Sequence, residues 1–208
     1  AGVSRVLYGP YIPSYLTPGI DVNAYAGAVA FLNATGATEG GRPLSMKANL
    51  TNYRVERHVE DHEADLVGEG IAIRRAEPTD ILPLIAFLEV HFPHWKPDAI
   101  GVMRDLFGGD PRGVTLHLAL EHGEIIGYAQ TRAERFGPFG VNEACRGRGI
   151  GGVLLSRALR AMRAQGFHSA WFLWTSDRTA KLYGQHGFEE VRRFVMMTKN
   201  LASIDHLS

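Results

Sequence analysis

The 208-residue chain has a single cysteine, Cys145. That excludes an intramolecular disulfide and a cysteine-rich zinc site, and it fits a reducing compartment. Charge of one sign is also lacking, with 22 Lys+Arg against 22 Asp+Glu. A surface built throughout for nucleic acid is thereby excluded. No apolar run approaches the roughly 18 residues that cross a bilayer. The opening AGVSRVLYGPY has no apolar signal-peptide core. An initiator Met is missing too, which points to a processed product or a fragment. These absences predict a cytoplasmic protein with no nucleic-acid partner, no membrane partner and no metal centre.

What is present is an ordinary globular composition, 45% hydrophobic and 21% charged, sufficient for a sizeable core. From residue 71 the apolar period switches between two and 3.6. IAIRRA (71–76) predicts a strand, and Asp80 is placed to cap a helix over Ile81–Phe92. The prolines of HFPHWKPD break that helix before another over Asp98–Phe107. Val114–Leu120 and Ile125–Arg135 read as a hairpin turning at Glu121-His122-Gly123-Glu124, with Phe136–Val141 as a third strand. A helix over Ile150–Gln165, a strand over Ala170–Trp174, a helix over Arg178–His186 ended by Gly187, and a strand over Phe188–Thr198 follow. An antiparallel meander feeding a β-α-β unit predicts a mixed α/β fold, its sheet mostly antiparallel and flanked by helices.

Residues 1–66 differ. A helical run at Ala24–Ala34, a strand at Arg42–Leu50 and an acidic helix at 55–67 are too little for an independent core. An internal repeat accounts for part of them. Laid without gaps on Thr179–Leu201, Ala28–Leu50 matches at six of 23 positions: Gly36/Gly187, Glu39/Glu190, Arg42/Arg193, Met46/Met197, Asn49/Asn200 and Leu50/Leu201. The expected division is a partial segment at 1–66 and a complete domain at 67–208. The apolar faces of the partial segment predict packing on that domain or on a second copy of the chain.

The densest local signal is Val141-Asn142-Glu143-Ala144-Cys145-Arg146-Gly147-Arg148-Gly149-Ile150-Gly151-Gly152, entered from a strand and left by a helix. Glycines there let backbone N–H groups approach a ligand, and the helix N-terminus favours an anion. From Ala144 to Ser176 there are five arginines and no acid, which predicts a local positive field. The stretch satisfies G-x-G-x-x-G, yet a meander precedes it and the first acid downstream is Asp177, unlike a dinucleotide fold. A phosphate-bearing ligand and a plain strand–helix turn remain open on these residues alone.

Arg146-x-x-Gly149-x-Gly151 resembles the (Arg/Gln)-x-x-Gly-x-(Gly/Ala) loop of the GNAT superfamily of N-acetyltransferases, and Ala180-Lys181-Leu182-Tyr183-Gly184-Gln185-His186-Gly187-Phe188 resembles its A-x-x-L-Y-x-x-x-G-F motif. The resemblance covers roughly residues 70–201. It implies a GNAT-like acyl-CoA N-acyltransferase fold and acetyl transfer from acetyl-CoA, as co-substrate, to a primary amine on a small molecule or peptide, by direct attack in a ternary complex. The 1–50 repeat then resembles the tail of a first GNAT domain in a tandem chain. A non-catalytic acyl-CoA-binding module is the alternative.

The resemblance also assigns residues. Tyr183 stands where the family's proton donor to the departing thiolate stands. The backbone of Phe139, Gly140 and Val141 would pair with the pantetheine arm, with Gly140 or Val141 as oxyanion donor. Arg146, Gly147, Arg148, Gly149, Ile150 and Gly151 would hold the phosphates. Asp177 replaces a family Asn that contacts CoA, and an ionised Asp accepts without donating; capping the last helix is its other reading. No acid lies within Phe136–Val141, so Glu134, a histidine or water is left as general base. His91 and His94 flank the expected acceptor side, and Cys145 reads as an incidental loop residue.

Overall fold

The alternation of Val114, Leu116, Leu118 and Leu120 with smaller or polar residues builds a meander with two buried faces. The structure, a computed structural model, describes residues 3–9 and 17–201. Part of the Pro/Tyr-rich start lies outside them. In chain order the elements are β1 (Arg5–Tyr8), β2 (Ile20–Asp21), α1 (Ala26–Ala34), β3 (Thr38–Glu39), β4 (Leu44–Asn49), α2 (Arg57–Gly68), β5 (Ile71–Arg75), α3 (Ile81–His91), α4 (Lys96–Gly108), β6 (Val114–Glu121), β7 (Glu124–Arg132), β8 (Arg135–Val141), α5 (Ile150–Ala164), β9 (Ser169–Thr175), α6 (Asp177–Gly184), β10 (Phe188–Val195) and β11 (Met197–Asn200). They form two compact units, one of residues Ala48–Trp171 and one of Ala1–Lys47 with Phe172–Ser208.

In the first of these units, β5, β6, β7 and β8 pair antiparallel in sequence order, and β8 meets β9 in parallel at Arg135↔Trp171. The sheet is therefore mixed and mostly antiparallel. His122 (φ 51°) and Gly123 (φ 89°) make the two-residue hairpin turn; two successive positive φ values match the twist of the flanking strands. β7 stops at Arg132, short of the expected Arg135, because Ala133 turns the chain at φ 49°. Leu116, Leu118, Leu120 and Tyr128 share one core with Leu84, Phe87 and Leu88 of α3 and Ala99, Val102 and Met103 of α4. The opposite sheet face takes α5, which buries Val153, Leu154, Ala158, Leu159 and Met162. α2 lies against α5 and β5 through Val59 and Leu66.

Asp80 does not cap α3 as expected. A single 3-10 turn, Pro78–Asp80, comes first, and Glu77 and Asp80 form a reciprocal capping box around it. Asp80 Oδ2 accepts from the Glu77 N–H at 2.7 Å, and both Asp80 oxygens accept from the Arg74 guanidinium at 2.6 and 2.8 Å.

In the other unit, β11 pairs antiparallel with β1 and β3, and β10 pairs with β2. The expected single strand over Phe188–Thr198 is thus two. Met196 marks the exchange of partners: its N–H donates to Gly41 O and its carbonyl accepts from Gly40 N–H. Val195, Met197 and Ala37 are the fully buried apolar centre, flanked by Val29 and Leu32 of α1. The two repeat segments share local features, although the strand after the glycine is two residues long in the first and eight in the second. Each runs from a helix into a left-handed glycine, Gly36 (φ 85°) or Gly187 (φ 81°), then into strand. Each then forms the same ion pair three residues apart, Arg42–Glu39 and Arg193–Glu190, both at 2.7 Å.

Candidate functional site

The glycine loop follows β8 and opens α5. Gly147 (φ 82°) and Gly149 (φ 73°) take left-handed backbone on either side of Arg148, a sequence of conformations that turns successive amides toward one concavity. The amides before them are used: Asn142 Oδ1 accepts from Ala144 N–H, Asn142 O from Cys145 N–H, and Glu143 O from Arg146 N–H. Those after them close the first turn, Gly152 and Val153 both donating to Gly149 O. Between them, the N–H groups of Gly147, Arg148, Gly149, Ile150 and Gly151 find no acceptor among the described residues. Five unsatisfied donors at the positive end of a 15-residue helix suit an anion with several oxygens. Cys145, the last residue of the short turn before Arg146, is buried and not an exposed thiol.

The positive field expected from the arginines is offset in part by acids distant in sequence, which pair with two of the five. Arg148 binds Glu121 at 2.8 Å and Glu69 at 3.0 Å; hydrogen bonds to Glu121 first and Glu69 second hold its guanidinium protonated. Arg157 binds Glu63 at 2.6 Å, and Arg163 donates to the Tyr53 carbonyl. Arg146 folds back onto its own loop, with Nε at 3.3 Å from Val141 O and a long 3.4 Å pair to Glu143. The donors that the loop leaves without an acceptor among the described residues are therefore mainly its amides.

On the strand leading in, Asn142 N–H donates to Ile126 O, and Gly140 stands opposite Tyr128. Alternation along an antiparallel ladder turns the Gly140 N–H toward β7 and the Val141 N–H toward the other edge. Of the two oxyanion donors the sequence left open, Val141 is the one facing outward. Gly140 has a different reason to be glycine: a Cβ there would lie 2.5 Å from Phe92 Cζ. Phe92 in turn stacks on Trp95, centroids 5.0 Å apart.

The remaining residues are placed as follows. Tyr183 is buried in its own unit against Phe172 and Phe188, ring centroids at 4.3 and 5.5 Å; burial pushes its phenol pKa up. Asp177 is not the cap of α6. Ser176 is, its Oγ accepting from Thr179 N–H at 3.4 Å. Asp177 instead pairs with Arg193 at 2.9 Å, and that hydrogen bond lowers its pKa. Glu134 lies in the turn before β8, at the opposite end of that strand from the glycine loop. His91 and His94 are exposed, and among the described residues no group of three or more His, Cys, Asp or Glu is arranged to hold a metal. No helix among the described residues is long and apolar enough to cross a membrane. Sequence reading missed His62, Glu63 and Glu69 of α2 and its cap; their spacing on one helical face with Val59 and Leu66 was the available signal.

The family model described as the acetyltransferase (GNAT) family matches residues 82–188. No curated protein matches. Similar solved structures include a GCN5-related N-acetyltransferase from Sphaerobacter thermophilus, 22% identical over 87% of this chain and 58% of that one, TM-score 0.65. A GCN5-related glucosamine N-acetyltransferase region in a fungal multi-domain GH3 beta-N-acetylglucosaminidase is 19% identical over 94% of this chain and 25% of that one, TM-score 0.75. A tandem GNAT protein from the clavulanic acid biosynthesis pathway is 18% identical over 97% and 64%, TM-score 0.56. The chain thus spans a quarter of the fungal protein and just over half of the Sphaerobacter one, and at these identities the likeness is one of fold. The glycine loop lies inside the matched segment, and that segment is half of the chain: the chain belongs to the acetyltransferase (GNAT) family.

Proposed function

We propose that the chain is an acetyl-CoA-dependent N-acetyltransferase whose acceptor is a primary amine on a small molecule or peptide. The observation that carries the reading is the row of five acceptor-free amides from Gly147 to Gly151. They suit a pyrophosphate, with the Arg146 side chain as charge support and Arg148 contributing its backbone N–H. The outward edge of Phe139–Val141 would take the pantetheine arm as an added strand. Acetyl-CoA supplies the activated acyl group. The Val141 N–H would then donate to the oxygen that gains charge on the acyl carbonyl. The Tyr183 phenol, kept protonated by burial, would give its proton to the departing thiolate. Asp177, committed to Arg193, is assigned no ligand contact.

Calorimetric titration with acetyl-CoA tests this, with NAD and ATP as controls. Saturable binding of acetyl-CoA alone, lost in Gly149→Ala and weakened in Arg146→Ala, is expected. No binding, or equal binding of ATP, overturns it. One observation favours a second reading: β8 carries no acid, so a module that binds acyl-CoA without turnover also fits. Free-thiol release with a panel of amines separates the two.

The N-terminal segment reads best as the closing part of a first GNAT domain, as in a tandem chain. The matched left-handed glycines and matched ion pairs support this. Leu32 stands in that copy where Tyr183 stands in the other, so the first copy has no phenol to donate a proton and acts as scaffold.

A further inference from the structure

We infer that His62, on helix α2, is a positioning residue that aims the Gly149 N–H into the anion cradle; this rests on the reading of the glycine loop as the pyrophosphate site. α2 lies outside residues 82–188, the segment the family model matches. Its inward stripe is Val59, His62, Glu63 and Leu66, spaced i, i+3, i+4, i+7 as one helical face requires. Val59 and Leu66 are the buried pair. Glu63 pairs with Arg157 of α5, and Glu69, the residue after the helix, pairs with Arg148 of the loop. The helix is thus fastened to α5 and to the loop at two charged points, with His62 one residue before the first of them.

His62 Nε2 stands 3.0 Å from the Arg148 carbonyl oxygen. A carbonyl only accepts, so the imidazole proton is on Nε2 and His62 donates. The carbonyl of Arg148 and the N–H of Gly149 belong to one planar trans peptide and point in opposite directions. Holding the carbonyl toward α2 therefore fixes the Gly149 N–H on the far side, among the four other amides that lack an acceptor. The same imidazole occupies the space a Cβ on residue 149 would need. Glycine at 149 is required twice over, by its left-handed φ of 73° and by the ring of His62. The Arg148 side chain is drawn to Glu69 and Glu121, which restrains the same peptide from its other end.

The test uses the full chain with His62→Ala, His62→Leu and His62→Gln, titrated calorimetrically with acetyl-CoA, each variant first shown to be folded by its melting transition. Gln offers an N–H donor at a similar reach to Nε2; Leu fills the volume without one. Losing one orienting hydrogen bond should weaken binding about five- to tenfold in the Ala and Leu variants. His62→Gln should recover most of that loss. Equal binding by wild type and His62→Leu would overturn the inference and leave the loop assignment standing, since a space-filling role predicts that result. Recovery in Leu but not in Gln would overturn it likewise. Failure of the wild type itself to bind acetyl-CoA would overturn the loop assignment, and this inference with it.

Discussion

His117 sits at the centre of β6 with 5% of its surface exposed, and its Nδ1 finds no partner among the described residues. Burial is the main cause that lowers its pKa from 6.5 to about 4, and the positive charges of Arg75 on β5 and of Arg157 and Arg160 on α5 add to it. The folded protein therefore keeps this imidazole neutral through a range in which the unfolded chain protonates it. Above about pH 7 both states are neutral and the residue contributes no pH dependence. As pH falls below 6.5 the unfolded state gains the proton first, so stability falls, and the loss levels off below about pH 4 when the folded state gains it too. Between pH 8 and 4.5 the loss is about 2.5 kcal/mol, a large part of the total for an ordinary domain. Urea titrations of wild type and His117→Leu at pH 8, 6 and 4.5 isolate it, because the carboxylates titrate alike in both. The variant should lack about 2.5 kcal/mol of the wild-type slope and be no less stable at pH 4.5. Parallel pH profiles would refute the reasoning, since they would mean that His117 is solvated or paired in the fold.

Other substitutions probe single contacts. Tyr183→Phe should keep the packing on Phe172 and Phe188, leave acetyl-CoA affinity unchanged and lower turnover about 100-fold; unchanged turnover in a thiol-release assay would remove Tyr183 as the acid. Arg74→Met removes the charged partner of the Asp80 carboxylate, leaving it the Glu77 N–H, and should cost about 1–3 kcal/mol in urea, while a change below about 0.5 kcal/mol would show the pair to be solvated. Gly140→Ala drives a methyl into Phe92 and should cost about 1–3 kcal/mol and alter the fluorescence of Trp95; an unperturbed Trp95 signal would mean that Phe92 does not pack on the strand.

What was legible in the sequence was whatever depends on neighbours along the chain. The hairpin at His122-Gly123 needs two positive φ values in succession, and the residue types announce them. The order of strands and helices from Ile71 onward follows from period and turn residues, apart from the division of the last strand at Met196. The glycine loop was legible as a strand–helix turn with left-handed glycines, because its conformation is set by its own backbone. The six matches of the internal repeat include a left-handed glycine and an ion pair that the structure shows in both segments.

What escaped was decided by residues far apart. An acid-free stretch with five arginines predicted a positive surface, but the acids come from 79, 27 and 94 residues away in Glu69, Glu121 and Glu63. Counting charge along a chain misjudges a field that is summed in space, and Coulomb attraction between folded elements has no signature in local composition. His62 and Gly149 show the same limit, since the glycine is readable as a turn and the second reason it cannot be alanine lies 86 residues upstream of its neighbour Arg148. The misplaced cap of α6 is a smaller failure of another kind. Ser176 and Asp177 are both good caps, and the choice fell to Ser176 because Arg193, one strand away, claims the carboxylate. The glycine loop is thus specified locally, whereas the contacts that hold it are tertiary.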